Sequence, residues 1–405
     1  MKHRNLLSLL FAVVLGLCCC GESAQDAGQG SGDGSGSSVG SGSGDGTGSG
    51  DGTGSGDGSG SVAFDFAAPG PFGVGVRSLP LSDATRSRGW TAEVWYPTVA
   101  EGSASAVLDF ATSAEERALL EELYPASPEG CATRSTQAIR NAAPAGSGPL
   151  PVIFFSHCHG CTRFELFTVA EHLASYGFAV VAPDHAGNTL FAHRSGAPAP
   201  INAAFLDTRV EDMLFTAAAA FDEAGPFADS GLRFDAARMG VMGHSFGAAT
   251  AAWTGERLPG VKAVAALAAP MESPLLPGPT MVALPLPTLF LLAREDNSIT
   301  ELGNRFIRNN HAAAASPSWL VELADAGHWS PSDLCGLTTD FVAGCGAGRR
   351  MTGRAPFTYV DNRAARRATA ALVTAFFASV LSDDARGAAY LNAGLFDIET
   401  TLSKR

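Results

Sequence analysis

Six uninterrupted apolar runs constrain the fold of this 405-residue chain more than anything else in it. They are PVIFFSH (151–157), GFAVVAPDH (177–185), RMGVMGHS (238–245), VKAVAALAAP (261–270), LPTLFLLARED (286–296) and SWLVELAD (318–325). Each has strand length and none alternates with polar residues, so both faces of each strand have to be buried. WTAEVWYP (90–97) alternates and reads as an earlier strand. Helical spacing fills the intervals: Phe164, Phe167, Val169, Leu173 and Tyr176, then 206–223, the alanine-rich FGAATAAW, and 299–314. A closing amphipathic helix carries Thr369, Leu372, Val373, Phe376, Phe377, Val380 and Leu381. Strands alternating with helices predict one α/β domain over 63–384, a mostly parallel central sheet with helices on both faces. Residues 385–405 read as a tail. In such sheets ligands bind beyond the carboxyl ends of the strands, so chemistry is sought directly after each apolar run.

The chain before the domain has a different character. Lys2, His3 and Arg4 precede an apolar stretch from Leu6 to Leu17, too short for an ordinary membrane span. Residues 1–20 therefore read as an export signal. Its end, Cys18-Cys19-Cys20-Gly21, resembles that of a bacterial lipoprotein signal, with the modified cysteine open among the three and a plain secretory signal as the alternative. Residues 21–62 form a linker of mostly Gly, Ser, Asp and Thr, with Asp45, Asp51 and Asp57 repeating every six residues. A calcium-binding solenoid needs an apolar side chain per turn to bury, and this run lacks them, so it is predicted to be a flexible tether. The expected setting is an exported protein, membrane-anchored through an N-terminal lipid or secreted. The net charge of −13 argues against a nucleic-acid partner.

The run at 238–245 ends in Gly243-His244-Ser245-Phe246-Gly247, a G-x-S-x-G sequence between strand and helix. That context makes a nucleophile elbow, with the hydroxyl exposed at a helix N-terminus. A serine nucleophile needs a general base, and the base an orienting acid, in the chain order serine, acid, histidine. The run at 286–296 ends in Glu295-Asp296 and the last run is followed by Gly327-His328. Asp296 is assigned as the acid and His328 as the base, with Glu295 the rival acid.

FFSHCHGCTRF (154–164) holds His157, Cys158, His159 and Cys161, all competent zinc ligands. The histidines and Cys158 are too crowded to converge tetrahedrally on one ion, and a thioredoxin-like Cys-x-x-Cys belongs to a smaller fold. No metal is expected. The loop instead closes the strand that supplies the second oxyanion donor, through the His159 amide, with the Phe246 amide as the first. Beyond the leader stand Cys131, Cys158, Cys161, Cys335 and Cys345. A Cys335–Cys345 disulfide is expected from their proximity after the histidine block. Cys131 with Cys161 or Cys158 is a weaker pairing, leaving one odd thiol.

PVIFFSHCHG, LASYGFAVVAPDHAGNT, RMGVMGHSFGAATA, LLARED and AGHWSPSDLC together resemble successive blocks of the α/β-hydrolase superfamily. More narrowly the chain resembles dienelactone-hydrolase-like proteins and platelet-activating-factor acetylhydrolases, with cutinase-type polyester hydrolases as cousins. The resemblance implies an eight-stranded mostly parallel sheet, no cofactor, and hydrolysis of small-molecule carboxylic esters. Two departures stand out. Cys158 replaces the first glycine of the usual His-Gly-x-Gly loop, and Ser245 stands where dienelactone hydrolases use cysteine, which argues against that particular activity. The segments 185–205 and 270–287 are expected to wall the pocket, and their apolar, proline-rich character favours an uncharged or lipid-like ester. The alternative is a catalytically silent binding module on the same fold.

Overall fold

A computed structural model describes residues 64–196, 198–394, 396 and 398–405. The export signal at 1–20 and the linker at 21–62 lie outside these residues. The described chain opens with an antiparallel hairpin, β1 (Gly73–Asp83) and β2 (Arg88–Thr98). Helix α1 (Ala114–Ala126) follows, capped by the Ser113 side chain accepting the Glu116 amide, then a two-residue strand β3 (Ile139–Arg140). The alternating part runs β4 (Leu150–Ser156), α2 (Phe167–Ser175), β5 (Ala179–Pro183), the short α3 (Leu190–Arg194), α4 (Ala203–Phe221) and the short α5 (Pro226–Asp229). It continues with β6 (Phe234–His244), α6 (Phe246–Arg257), β7 (Val261–Leu267), β8 (Thr288–Ala293), α7 (Thr300–Ala313) and β9 (Ser318–Leu323). A small hairpin, β10 (Ala347–Arg349) and β11 (Pro356–Thr358), precedes α8 (Asn362–Leu381), α9 (Ala385–Ala393) and β12 (Thr400–Lys404).

Ten strands form the main sheet, in the order β12-β9-β8-β7-β6-β4-β5-β2-β1-β3. β5, β4, β6, β7, β8 and β9 are mutually parallel, while β2 and β12 run antiparallel to their inner neighbours. The unalternating runs have the burial they require. Along β4, Val152 and Phe154 join a core with Met213 of α4, Ala251 of α6 and Ile307 of α7. Ile153 and Phe155 enter the opposite core with Leu173 of α2 and Phe376 and Phe377 of α8. Strand periodicity thus sends successive side chains to opposite layers of helix. Helix α8 is long and apolar enough to cross a membrane by composition, yet it is mostly buried within the protein as a core helix.

Three expectations are corrected. Among the described residues the sheet has ten strands rather than the eight the resemblance implies, because β1, β3 and β12 join at its edges the seven strands legible as runs. β1 carries Arg77, Pro80 and two glycines and gave no apolar run to read. Residues 385–405 are not a tail: α9 packs on α8, and β12 pairs with β9 from Thr400–Leu323 to Lys404–Trp319. The disulfides are Cys131–Cys345 and Cys158–Cys161, and Cys335 is a buried free thiol pushed up to about 12 by burial. Cys335 turns into the core beside α8, while Cys345 meets a cysteine 214 residues away. Sequence proximity carries no information about side-chain direction.

Candidate active site

β6 runs straight into α6, with Ser245 between them as the helix N-cap at φ 55° and ψ −122°. A non-glycine residue held there is strained, and the flanking glycines make the turn sterically feasible. A Cβ on Gly243 would lie 1.9 Å from the Gly247 carbonyl oxygen, and one on Gly247 would lie 1.9 Å from that of Ser156. Only hydrogen fits at either place. The Ser245 amide donates to the Leu267 carbonyl at 2.9 Å, which ties the elbow to the end of β7.

Ser245 Oγ lies 2.8 Å from His328 Nε2, and His328 Nδ1 lies 2.7 Å from Asp296 Oδ2. Asp296 is fully buried, and its other oxygen accepts the amides of Ser298 and Ile299 at 3.0 Å each. Both oxygens of that carboxylate are thereby engaged. Glu295 turns away, with its oxygens on Arg350 Nη1 at 3.0 Å and the Met351 amide at 2.6 Å. His328 is 2% exposed and packs against the Trp329 ring, with centroids 5.0 Å apart. The three residues come from the ends of β6, β8 and β9, which lie in one parallel block.

The loop after β4 is held by side chains on the peptides around Cys158. Cys158 and Cys161 are joined to each other, so although their sulfurs and a Glu165 oxygen lie within 4.8 Å of one another, neither sulfur is a thiolate ligand. The Cys158 amide donates to Glu165 Oε1 at 2.8 Å and is not available to a substrate. The amide of His159 donates to no acceptor among the described residues. Phe246 opens α6, where an amide has no intrahelical acceptor. His157 fixes the peptide that carries the His159 N–H. Its Nε2 accepts the His185 amide at 2.9 Å, so Nδ1 bears the proton and donates to the Cys158 carbonyl at 2.7 Å. Burial and the nearby Arg209 cation hold the His157 imidazole well below its ordinary value, in keeping with this neutral tautomer.

Arg209, fully buried on α4, braces the same loop from beneath. It donates to Asn188 Oδ1 (2.5 Å), Ser156 Oγ (3.0 Å), Thr250 Oγ1 (3.1 Å) and the His157 carbonyl. Burial pulls the guanidinium down to about 9, which still leaves it charged at neutral pH. With Asn188 Oδ1 committed to Arg209, its Nδ2 donates to His159 Nδ1 at 2.6 Å. The His159 ring is lowered to about 3 by burial first, then by His193 and Arg209, and so stays neutral. It sits edge-on to the His193 ring at 4.5 Å, and 6.3 Å from the ring of Phe246. Leu206, Val210, Phe246, Ala249 and Leu276 form an apolar cluster at the elbow, with Phe205 and Trp253 packed on it. Leu276 belongs to 270–287 and Asn188 and His193 to 185–205, so both expected wall segments reach the site.

Sequence reading missed Asn188, Arg209 and Glu165. Glu165 had one available signal, a charge set between Phe164 and Leu166, whereas Arg209 stands among Asp207, Glu211 and Asp212 and gave none.

Residues 138–329 match the dienelactone hydrolase family. That span holds β4 to β9 with Ser245, Asp296, His328 and the loop after β4. Among solved structures, a ferulic acid esterase from Streptomyces cinnamoneus is similar to this chain, with a TM-score of 0.59 and 22% identity. The alignment covers 84% of this chain and 99% of that one. At that identity the likeness bears on the fold. Comparison with curated proteins gives no match. With its sheet order, its serine elbow and the structural likeness, the chain has the α/β-hydrolase fold, and its strand block over 138–329 is similar to the dienelactone hydrolase family.

Proposed function

We propose that this protein hydrolyses uncharged carboxylic esters through an acyl-enzyme on Ser245. The observation that carries the reading is the unbroken relay of 2.8 Å and 2.7 Å from Ser245 through His328 to Asp296, behind a serine at positive φ. In this mechanism His328 Nε2 takes the Ser245 proton as Oγ attacks the ester carbonyl. The amides of His159 and Phe246 receive the oxyanion, and Asp296 holds the imidazole in the tautomer that presents Nε2 to the serine. The C–O bond to the alcohol breaks as His328 returns the proton to the leaving oxygen. Water, deprotonated by the same imidazole, then attacks the acyl-enzyme and releases the acid with Ser245 restored. The apolar cluster of Leu206, Phe246 and Leu276 beside the serine supports an uncharged acyl or alcohol group. The family match and the ester-cleaving neighbour support ester hydrolysis as the reaction class. The direct test is turnover of p-nitrophenyl acetate and butyrate alongside methyl hydroxycinnamates and a polyester film. Turnover of one or more soluble esters is expected. A folded protein inert toward all of them would instead fit a silent binding module.

We further propose that the protein is exported and held at a membrane by lipid on one of Cys18, Cys19 and Cys20, with residues 21–62 as a spacer. Replacing all three cysteines by serine should move the protein from the membrane fraction to the soluble one. Unchanged partitioning would defeat the anchor.

A further inference from the structure

Glu165 lies just before α2, outside the three residues of the relay, and is fully buried. Its contacts reach the oxyanion loop, the serine elbow and the base loop. Oε1 accepts the Cys158 amide at 2.8 Å, on the peptide immediately before the one that carries the His159 N–H. Oε2 faces His244 Nδ1 at 3.3 Å, in the residue preceding Ser245. The backbone carbonyl of Glu165 accepts the Asp333 amide at 2.8 Å and the Ser332 hydroxyl at 3.2 Å, in the segment that follows His328. His244 completes the strut, with Nε2 3.0 Å from the His328 carbonyl.

Both ring nitrogens of His244 thus face oxygen acceptors, a carboxylate and a carbonyl. Only the imidazolium can donate to both. Burial by itself disfavours that cation, but the charge and hydrogen bond of Glu165 and the His328 carbonyl outweigh it and raise His244 above its ordinary value. The imidazolium and carboxylate are both fully buried. A buried ion pair contributes little net stability compared with an apolar pair of the same shape, so folding alone gives weak reason for it. What the pair does supply is rigid, directional attachment between the loops after β4, β6 and β9.

We propose that Glu165, acting through Cys158 and His244, is a positioning residue for acyl transfer, setting the oxyanion loop and the base loop relative to Ser245. The inference rests on the serine-esterase reading above. Deleting the carboxylate leaves the Cys158 N–H without its acceptor, so that Arg209 on the His157 carbonyl holds that peptide from one side only, and removes the anion that keeps His244 doubly donating. The His159 amide then loses its alignment with a developing oxyanion, while ground-state binding at the apolar cluster is untouched. Loss of one oxyanion donor costs about 10²–10³ in kcat. Glu165→Leu should therefore lower kcat about 100-fold with KM changed by less than about threefold, and weaken a trifluoromethyl ketone inhibitor in proportion to kcat/KM. Glu165→Gln keeps an oxygen for the Cys158 amide and should recover a large part of that loss.

The experiment measures both variants beside the wild type and Ser245→Ala, with active sites counted by a fluorophosphonate that labels Ser245. Counting per labelled site separates misplaced loops from unfolded protein. If Glu165→Leu does not fold, the Gln variant and its inhibitor affinity carry the test: a proportionate loss in both supports the role. Parental kcat per labelled site in a folded Glu165→Leu, or in Glu165→Gln where the Leu variant does not fold, with Ser245→Ala inactive, overturns the positioning role and leaves the esterase reading intact. A wild type without turnover, or an active Ser245→Ala, overturns both.

Discussion

Replacing Ser245 with alanine is expected to lower kcat by a factor of about 10⁶, with His328→Ala costing a similar amount, because a relay of this kind acts as a unit. A residual acceleration of about 10³–10⁴ over water should survive from the oxyanion donors and binding. Asp296→Asn should cost less, about 10⁴, since the base remains but favours the wrong tautomer. Folding should hold in each case. Ser245 is a small, partly exposed side chain at a strand end, and an asparagine at 296 keeps an oxygen for the Ser298 and Ile299 amides. Glu295→Gln should stay within about threefold of the parent, because Glu295 bonds Arg350 and the Met351 amide and does not touch His328. The measurement is ester turnover with circular dichroism on each variant. Near-parental turnover in a folded Ser245→Ala protein would end the mechanism, and an inactive Glu295→Gln beside an active Asp296→Asn would move the acid by one residue.

Removing the Cys131–Cys345 disulfide is expected to cost about 3–5 kcal/mol. The bridge closes a loop spanning 214 residues, and the chain-entropy model assigns about 5 kcal/mol to a loop that long, with native disulfides typically giving about 2–5. For a domain of this size that is a fall in Tm of roughly 5–10 °C. Turnover should also decline, since the chain beside Cys345 is bonded to the base loop. The Trp329 amide donates to the Ala343 carbonyl at 2.8 Å, and Ser330 Oγ to the Gly344 carbonyl at 2.9 Å. Cys335→Ala, by contrast, removes one sulfur from a packed core and should cost only about 1 kcal/mol. Urea unfolding of Cys131→Ser/Cys345→Ser beside Cys335→Ala checks the difference. Peptide mapping without reductant should find the Cys131–Cys345 link, and Cys335 should react with iodoacetamide only after unfolding. A Cys335–Cys345 peptide would refute the pairing.

The features legible in the sequence were those written in consecutive residues. An unalternating run such as PVIFFSH has to be covered on both sides, and β4 is covered by α4 and α6 on one face and by α2 and α8 on the other. Gly243-His244-Ser245-Phe246-Gly247 specifies a turn by sterics, since no side chain fits between the elbow and its neighbours. Because the strands are parallel, residues just past their ends collect on one edge, which is why serine, aspartate and histidine far apart in the chain could be matched by order.

What tertiary structure alone decided is which side chains face one another. β12 has a polar, five-residue sequence and becomes a strand only because β9 presents an unpaired edge to it. The choice between Glu295 and Asp296 is a matter of direction, since adjacent residues leave the end of β8 toward different neighbours. The cysteine pairing turned on where the loops after α1 and β9 meet, and the buried contacts of Glu165, His244, Arg209 and Asn188 on the packing of whole elements. Local patterns record the periodicity of burial. The partner of a buried polar group is chosen by the approach of distant segments, and no spacing along one chain encodes that approach.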